Sequence, residues 1–316
     1  MARSPSSPGI AAGPASHVAQ GTRRPAVLNL LILLRPGQWT KNLLVFAGLL
    51  FGQRLFEPKA VGVAIAAFAI FCALSGVVYV MNDIVDRKSD RQHPHKSHRP
   101  IASGAVAVST AFWMAVVIGG GGILAAFALG SRFAASAIAY VALMGLYSAL
   151  LKHLVIIDVL TVAVGFVLRA VAGALAVDVE ISHWLLVCTI LLALFVALAK
   201  RRHELVLLAD GAANHRRILG EYSPYLLDQM ISVVTASTLI AYVFYTISPE
   251  TEAKFATHWL GLTIPFPLYG ILRYLYLVHR REGGGSPAEL LITDRPLMLC
   301  VALWGIAVVA LIYRPF

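Results

Sequence analysis

The chain has 316 residues, 59% of them hydrophobic and only 13% charged, with a mean hydropathy of +0.76. One soluble core cannot take up that much apolar side chain, so the composition excludes a water-soluble globule and requires lipid around most of the surface. The formal charge of +10 sits in short loops between apolar runs, not on a contiguous basic domain, which excludes nucleic acid as the partner and points to membrane lipids and an anionic substrate.

Residues 1–25, rich in Ser, Pro, Gly and Ala, cannot offset the entropy of ordering and read as a disordered cytoplasmic tail. No short apolar core ahead of a small-residue cleavage site marks them as a secretory signal. Residues 26–316 read as a single transmembrane catalytic domain. The apolar stretch Ala26 to Leu34 meets Arg35-Pro36-Gly37, a helix-breaking sequence, and is expected to lie at the interface ahead of the first span. Apolar windows then follow at 39–56, 60–81, 105–129, 133–151, 154–176, 184–199, 226–248, 256–277 and 296–313. The expected fold is therefore all-α, a polytopic membrane bundle of about nine transmembrane helices.

Lys and Arg collect in the loops after the second, fourth, sixth and eighth spans, whereas Glu57, Asp178, Glu180, Glu250 and Glu252 occupy the others. The positive-inside rule puts the amino terminus and the basic loops in the cytoplasm and the carboxyl terminus outside. That predicts a multi-pass protein of the inner (plasma) membrane. Gly119 to Gly122 lie within the third span, where small residues allow close helix contact, and Gly283 to Gly285 read as a loop. Cys72, Cys188 and Cys300 are far apart in apolar runs and read as core residues.

The strongest chemical signal is Asn82-Asp83-Ile84-Val85-Asp86-Arg87-Lys88-Ser89-Asp90, where the second span reaches the cytoplasmic surface. On a continuous helix Asp83, Asp86 and Asp90 fall within roughly 60° of one another. Three carboxylates so close beside lipid repel, and a divalent cation relieves the cost. Oxygen-only ligands, with Asn82 assisting, point to Mg2+, which takes further oxygens from phosphates. The competing reading is a solvated loop whose acids pair with Arg87, Lys88 and Arg91.

Arg35, Gln38, Trp39, Lys41 and Asn42 form a polar cluster before an apolar helix, suited to a lipid phosphate. Tyr147 and Lys152 bracket the cytoplasmic end of the fourth span. Asp158 and Arg169 are expected within the fifth span, about three turns apart on a similar face, and a buried charge of that kind needs a partner or a polar cavity. Lys200, Arg201 and Glu204 end the sixth span; the cations also suit plain topology signals, but an acid has no such reason to be there. His93, His95 and His98 resemble a metal tract, but a proline separates the first two in a basic loop, and phosphate or solvent contact fits them better than zinc.

The Asn-Asp-x-x-Asp-x-x-x-Asp motif after the second span, followed by Arg99-Pro100-Ile101-Ala102-Ser103-Gly104, resembles the UbiA superfamily of intramembrane prenyltransferases. Arg35-Pro36-Gly37-Gln38-Trp39-Thr40-Lys41-Asn42, Tyr147 before Lys152-His153, Leu168 to Gly173, and Ala199-Lys200-Arg201 with Glu204-Leu205 are similar to its decaprenyl-phosphate phosphoribosyltransferase branch. The likeness spans about residues 30–315. It implies a UbiA-like fold and Mg2+-dependent transfer of 5-phosphoribose from phosphoribosyl diphosphate to a polyprenyl (decaprenyl) phosphate, towards precursors of cell-wall arabinan. Asp83, Asp86 and Asp90 would hold the metal, Lys41 would act at the reacting phosphate, and Arg99 would join the substrate-binding residues named above.

Prenyl-transferring members carry a second aspartate motif after the sixth span, where this chain has Lys200, Arg201 and Glu204. The alternatives are an aromatic or quinone-type prenyltransferase, or a transporter lined by Asp158 and Arg169, though no inverted repeat is evident. A homo-oligomer is compatible with the sequence.

Overall fold

The computed structural model describes residues 25–92, 96–208, 217–280, 290 and 293–313, and among these every regular element is helical. The proposed tail up to residue 24, His93, His95 and Gly283 to Gly285 lie outside the described residues. The helices are α1 (Ala26–Leu33), a 3₁₀ segment Pro36–Phe46 continuing into α2 (Ala47–Phe51), α3 (Pro58–Val85), α4 (Arg87–Gln92), α5 (Val108–Leu129) and α6 (Ser131–Ala149). There follow α7 (Ile157–Ala176), α8 (His183–Leu208), α9 (Pro224–Ile247), α10 (Pro249–Phe255), α11 (Pro265–Arg280) and α12 (Arg295–Ile312).

Helix starts are written locally. Pro58, Pro224 and Pro249 occupy first-turn positions where no amide donor is needed. Ser223, Ser248 and Asp294 cap α9, α10 and α12 by accepting from the amides of Leu226, Thr251 and Leu297. Between α5 and α6 the chain turns at Gly130, whose φ of 132° is open only to glycine.

Eight helices among the described residues are long and apolar enough to cross a membrane: α3, α5 to α9, α11 with its preceding 3₁₀ turn, and α12. The ninth expected crossing, 39–56, differs in kind. Pro36 and Gly37 disfavour a regular α-helix at its start. The strand of 3₁₀ turns still runs the length of the bundle, since Arg35 reaches Asp83 at one end and Gln53 Nε2 donates to the Ile312 carbonyl at 3.0 Å at the other. The sixth crossing is longer than its apolar window, so Lys200 to Glu204 lie within α8 and not after it.

Neighbouring helices pack in sequence, α3 on α5, α6 on α7, α7 on α8 and α8 on α9, while α11 pairs with α12. The Tyr313 hydroxyl, just past α12, donates to the Leu50 carbonyl at 2.8 Å, so the last span returns to the first. The tightest crossing is between the 36–51 segment and α7. A methyl group on Gly173 would stand 1.8 Å from the Val45 carbonyl oxygen, and one on Gly48 would stand 2.5 Å from the Ala174 Cα. Only hydrogen fits there, and the close approach carries Asn42 to Arg169. In α5, Gly122 packs against Leu74 as the glycine run suggested. Cys72 and Cys300 are buried and Cys188 half-buried, all as free thiols.

Candidate active site

Polar side chains gather where α3 ends, α7 begins and α8 passes. Helix α3 stops at Val85, so Asp86 is its cap residue and Asp90 belongs to the separate α4. The three aspartates therefore do not share one continuous helix face, which corrects the sequence reading. Asp83 and Asp90, each 3% exposed, converge on one nitrogen of Arg99, at 3.0 and 2.7 Å. Arg35 also pairs with Asp83. Asp86 turns instead to Lys152, whose Nζ lies 3.0 Å from Oδ1. Asn82 is half-buried beside them.

Among the described residues no three His, Cys, Asp or Glu side chains are close enough to hold a metal together. Basic groups occupy their oxygens. Two buried carboxylates aimed at a single positive nitrogen nevertheless form the oxygen-only donor pair that suits Mg2+, and Asp86 is near enough in sequence to join by side-chain rotation. The residues fit the ion.

A second layer is built on Asp158. The structure puts it in the first turn of α7, closer to the helix start than the sequence suggested, and fully buried. Its partner is not Arg169. Arg201 Nε donates to Asp158 Oδ2 at 2.9 Å, and the Tyr222 hydroxyl donates to Oδ1 at 3.0 Å. Arg201 also donates to Glu204 at 2.8 Å and to the Tyr147 hydroxyl at 3.3 Å. Its guanidinium is thus committed to protein groups. Lys200, half-exposed, lies 3.8 Å from Glu204 and keeps its ammonium free to turn outward.

Tyr222 does double duty. Its oxygen accepts from the Ile156 amide at 2.7 Å. Ile156 has φ 68°, a conformation that costs a β-branched residue and persists only when neighbours fix it. The phenol sits in a dry site beside a carboxylate, which pushes its pKa up to about 12, so it stays a neutral donor. Nothing in the sequence marks this tyrosine, which lies outside every apolar window.

Arg169 occupies a third position deeper in the bundle, 5% exposed. Nε donates to Asn42 Oδ1 at 2.7 Å, one Nη to the Gly165 carbonyl at 2.8 Å and the other to the Tyr140 hydroxyl at 2.7 Å. Asn42, wholly buried, passes its amide on to Ser75 at 3.1 Å. Every partner is neutral. Lys41, within electrostatic reach of Arg169 and Arg35, also has no carboxylate partner among the described residues. Gln38 is half-buried at the mouth, while Trp39 is turned to the Leu34 carbonyl at 3.2 Å.

Three residues besides Tyr222 join the site in ways the sequence did not mark: Arg35 was expected at a lipid phosphate, Arg87 only as a partner of the acids, and Tyr140 not at all. Arg35 uses an unusual φ of 49° to reach Asp83 and stacks over the Tyr79 ring. Tyr140 completes the Arg169 shell. Arg87 Nε is buried with no hydrogen-bond partner among the described residues. Basic clusters hint at the arginines, but aromatic partners inside apolar helices look like any other core residue.

Residues 42–293 match the model of the UbiA prenyltransferase family. A decaprenyl-phosphate phosphoribosyltransferase from Corynebacterium glutamicum is 32% identical, over 89% of this chain and 85% of the relative. One from Mycolicibacterium smegmatis is 32% identical over 94% and 98%, and one from Mycobacterium tuberculosis 30% identical over 90% and 94%. Among solved structures, a UbiA homologue from Archaeoglobus fulgidus bound to GPP and Mg2+ has the same fold, with a TM-score of 0.69 at 20% identity over 89% of this chain and 99% of that one.

Proposed function

The chain belongs to the UbiA prenyltransferase family, and from that premise we propose that it transfers 5-phosphoribose from phosphoribosyl diphosphate to a polyprenyl phosphate such as decaprenyl phosphate. The observation that carries the reading is the cation pair Lys41 and Arg169, the first half-buried and the second buried in the bundle, with no carboxylate partner among the described residues. Taking a lone charge out of water costs on the order of several kcal/mol, and an incoming anion offsets that cost. A prenyl donor has one charged end. A phosphoribosyl donor and a lipid phosphate together present three, and the site offers three separate sets of cations.

Asp83, Asp86 and Asp90, with Asn82, would hold Mg2+. Bound there, the ion would neutralise the donor's diphosphate. Arg35, Arg99 and Lys152, now paired with those aspartates, are placed to turn to the phosphate oxygens. Lys200 and Arg87 face the remaining 5-phosphate. Lys41 and Gln38 place the lipid phosphate, with Arg169 held behind them by Asn42 and Tyr140. A phosphate oxygen then attacks C1 of the ribose, the bond from C1 to the diphosphate breaks, and the electron pair leaves with the diphosphate. The acceptor is already an anion, so no base is needed. In-line displacement turns an α-configured donor into a β-linked product. The reaction face is the cytoplasmic side of the plasma membrane, where the basic loops lie.

The test supplies phosphoribosyl diphosphate and a prenyl diphosphate in parallel, each with magnesium, polyprenyl phosphate and an aromatic acceptor. Phosphoribosylated lipid is the expected product, and Lys41→Ala should raise the KM for the lipid about tenfold or more, the worth of one charged hydrogen bond. A prenylated aromatic product without any phosphoribosylated lipid would favour the second reading, an aromatic prenyltransferase, which the family's name and the GPP-bound homologue support.

A further inference from the structure

The far end of the bundle carries a cavity of about 770 Å³, between α2, the α7 to α8 connection and the turn from α9 into α10. It opens at the membrane face opposite the aspartates, and none of the active-site residues described above lines it. Its inner wall is apolar, made by Phe51, Leu185, Tyr245 and Phe255. Its rim is charged and of both signs, with Arg54 and Lys254 beside Glu180 and Glu250.

Two of its lining residues, Ser182 and Tyr245, carry hydroxyls without a hydrogen bond among the described residues. Ser182 Oγ is buried and hydrogen-bonded to nothing among the described residues. The Tyr245 ring is packed against Phe51, and its hydroxyl makes no hydrogen bond among the described residues while the residue lines the cavity. A buried polar group is normally paired, so an unpaired Ser182 beside a cavity that Tyr245 also lines points to a polar ligand. The rim adds the ligand's charges. Lys254 donates to the Glu180 carbonyl at 3.1 Å, and Arg54 reaches Glu57 only at 3.7 Å, so both cations keep hydrogen-bonding capacity. Glu180 is within electrostatic reach of Lys254, but neither it nor Glu250 has a cation within ion-pair distance among the described residues. A purely anionic head would leave those carboxylates opposed, and a purely cationic one would leave Lys254 and Arg54 opposed.

We propose that this cavity binds a zwitterionic phospholipid head bearing a primary amine, of the phosphoethanolamine type. The amine sits between Glu180 and Glu250, and the phosphate takes donors from Lys254, Arg54, Ser182 and Tyr245. The acyl chains follow the apolar wall into the bilayer. This assignment is independent of the transfer reaction at the other face.

The experiment is native mass spectrometry of the delipidated full chain with short-chain phosphatidylethanolamine, phosphatidylglycerol of the same chain length, and tail-free phosphoethanolamine. Phosphatidylethanolamine alone should stay bound. The double variant Glu180→Gln with Glu250→Gln, and separately Lys254→Ala, should each weaken it about tenfold, as the loss of a charged contact does. Lipid turnover at the aspartate face should be unchanged in both, which separates loss of the site from loss of the fold. Equal retention of phosphatidylglycerol would overturn the zwitterion, and equal retention of tail-free phosphoethanolamine would overturn the lipid. Undiminished binding in both variants would place the lipid elsewhere and reject the cavity.

Discussion

Arg201 is engaged before any substrate arrives, since Asp158, Glu204 and Tyr147 already take its donors. Its part is to fix the start of α7 against α8, and Tyr222 completes the clamp through Asp158 and the strained Ile156. Removing that hydroxyl leaves the buried Asp158 carboxylate and the Ile156 amide each short of one partner, at about 1.5–3 kcal/mol for the charged one. Tyr222→Phe should therefore lower kcat about tenfold or more while donor KM changes little, because no donor phosphate touches this residue. A kcat within twofold of the parent would show that the clamp does not position the site. The carboxylates and cations of the site were legible as residue types in the sequence, since lipid-facing helices have no other use for them. Their pairing was not: Asp158 and Arg169 share a helix, but each finds its partner on a different one.

Among the elements, the 36–51 segment decides most. Its apolar run announces a crossing, and Pro36 and Gly37 announce that the start is irregular, but neither says that it lies flush against α7. Gly173 makes that possible, since even a methyl there would meet the Val45 carbonyl at 1.8 Å. Gly173→Ala should force the two apart, cost about 1–3 kcal/mol or more, and lower the Tm in detergent by several degrees. Gly120→Ala, with nothing within 4 Å, is the control and should melt with the parent. If both variants melted alike, the close crossing would have no energetic weight. The length of α8 shows the opposite limitation of a hydropathy window: the apolar run ends at about residue 199, yet the helix continues to Leu208 because its backbone bonds are indifferent to side-chain charge.

At the scale of the whole molecule, the two ends of the bundle differ in kind, one crowded with buried ion pairs and the other holding an open cavity. Charge bias assigns the first to the cytoplasm, and the assignment is testable with single cysteines in a background where Cys72, Cys188 and Cys300 are replaced by Ala. In intact cells an impermeant maleimide should label Ala253→Cys and should reach Ser103→Cys only after the membrane is opened. The reverse pattern would invert the topology and move the reaction to the other face. The sequence by itself determined the helical class, the number of crossings to within one and the aspartate motif, because lipid imposes length and apolarity on every span. Only the tertiary structure decided that Asp86 parts from Asp83 and Asp90, that Arg201 is engaged while Arg169 has no counter-ion among the described residues, and that Tyr222 joins the site. Those facts depend on which helices touch, and contacts between residues as far apart as Asn42 and Arg169 leave no periodic trace along the chain.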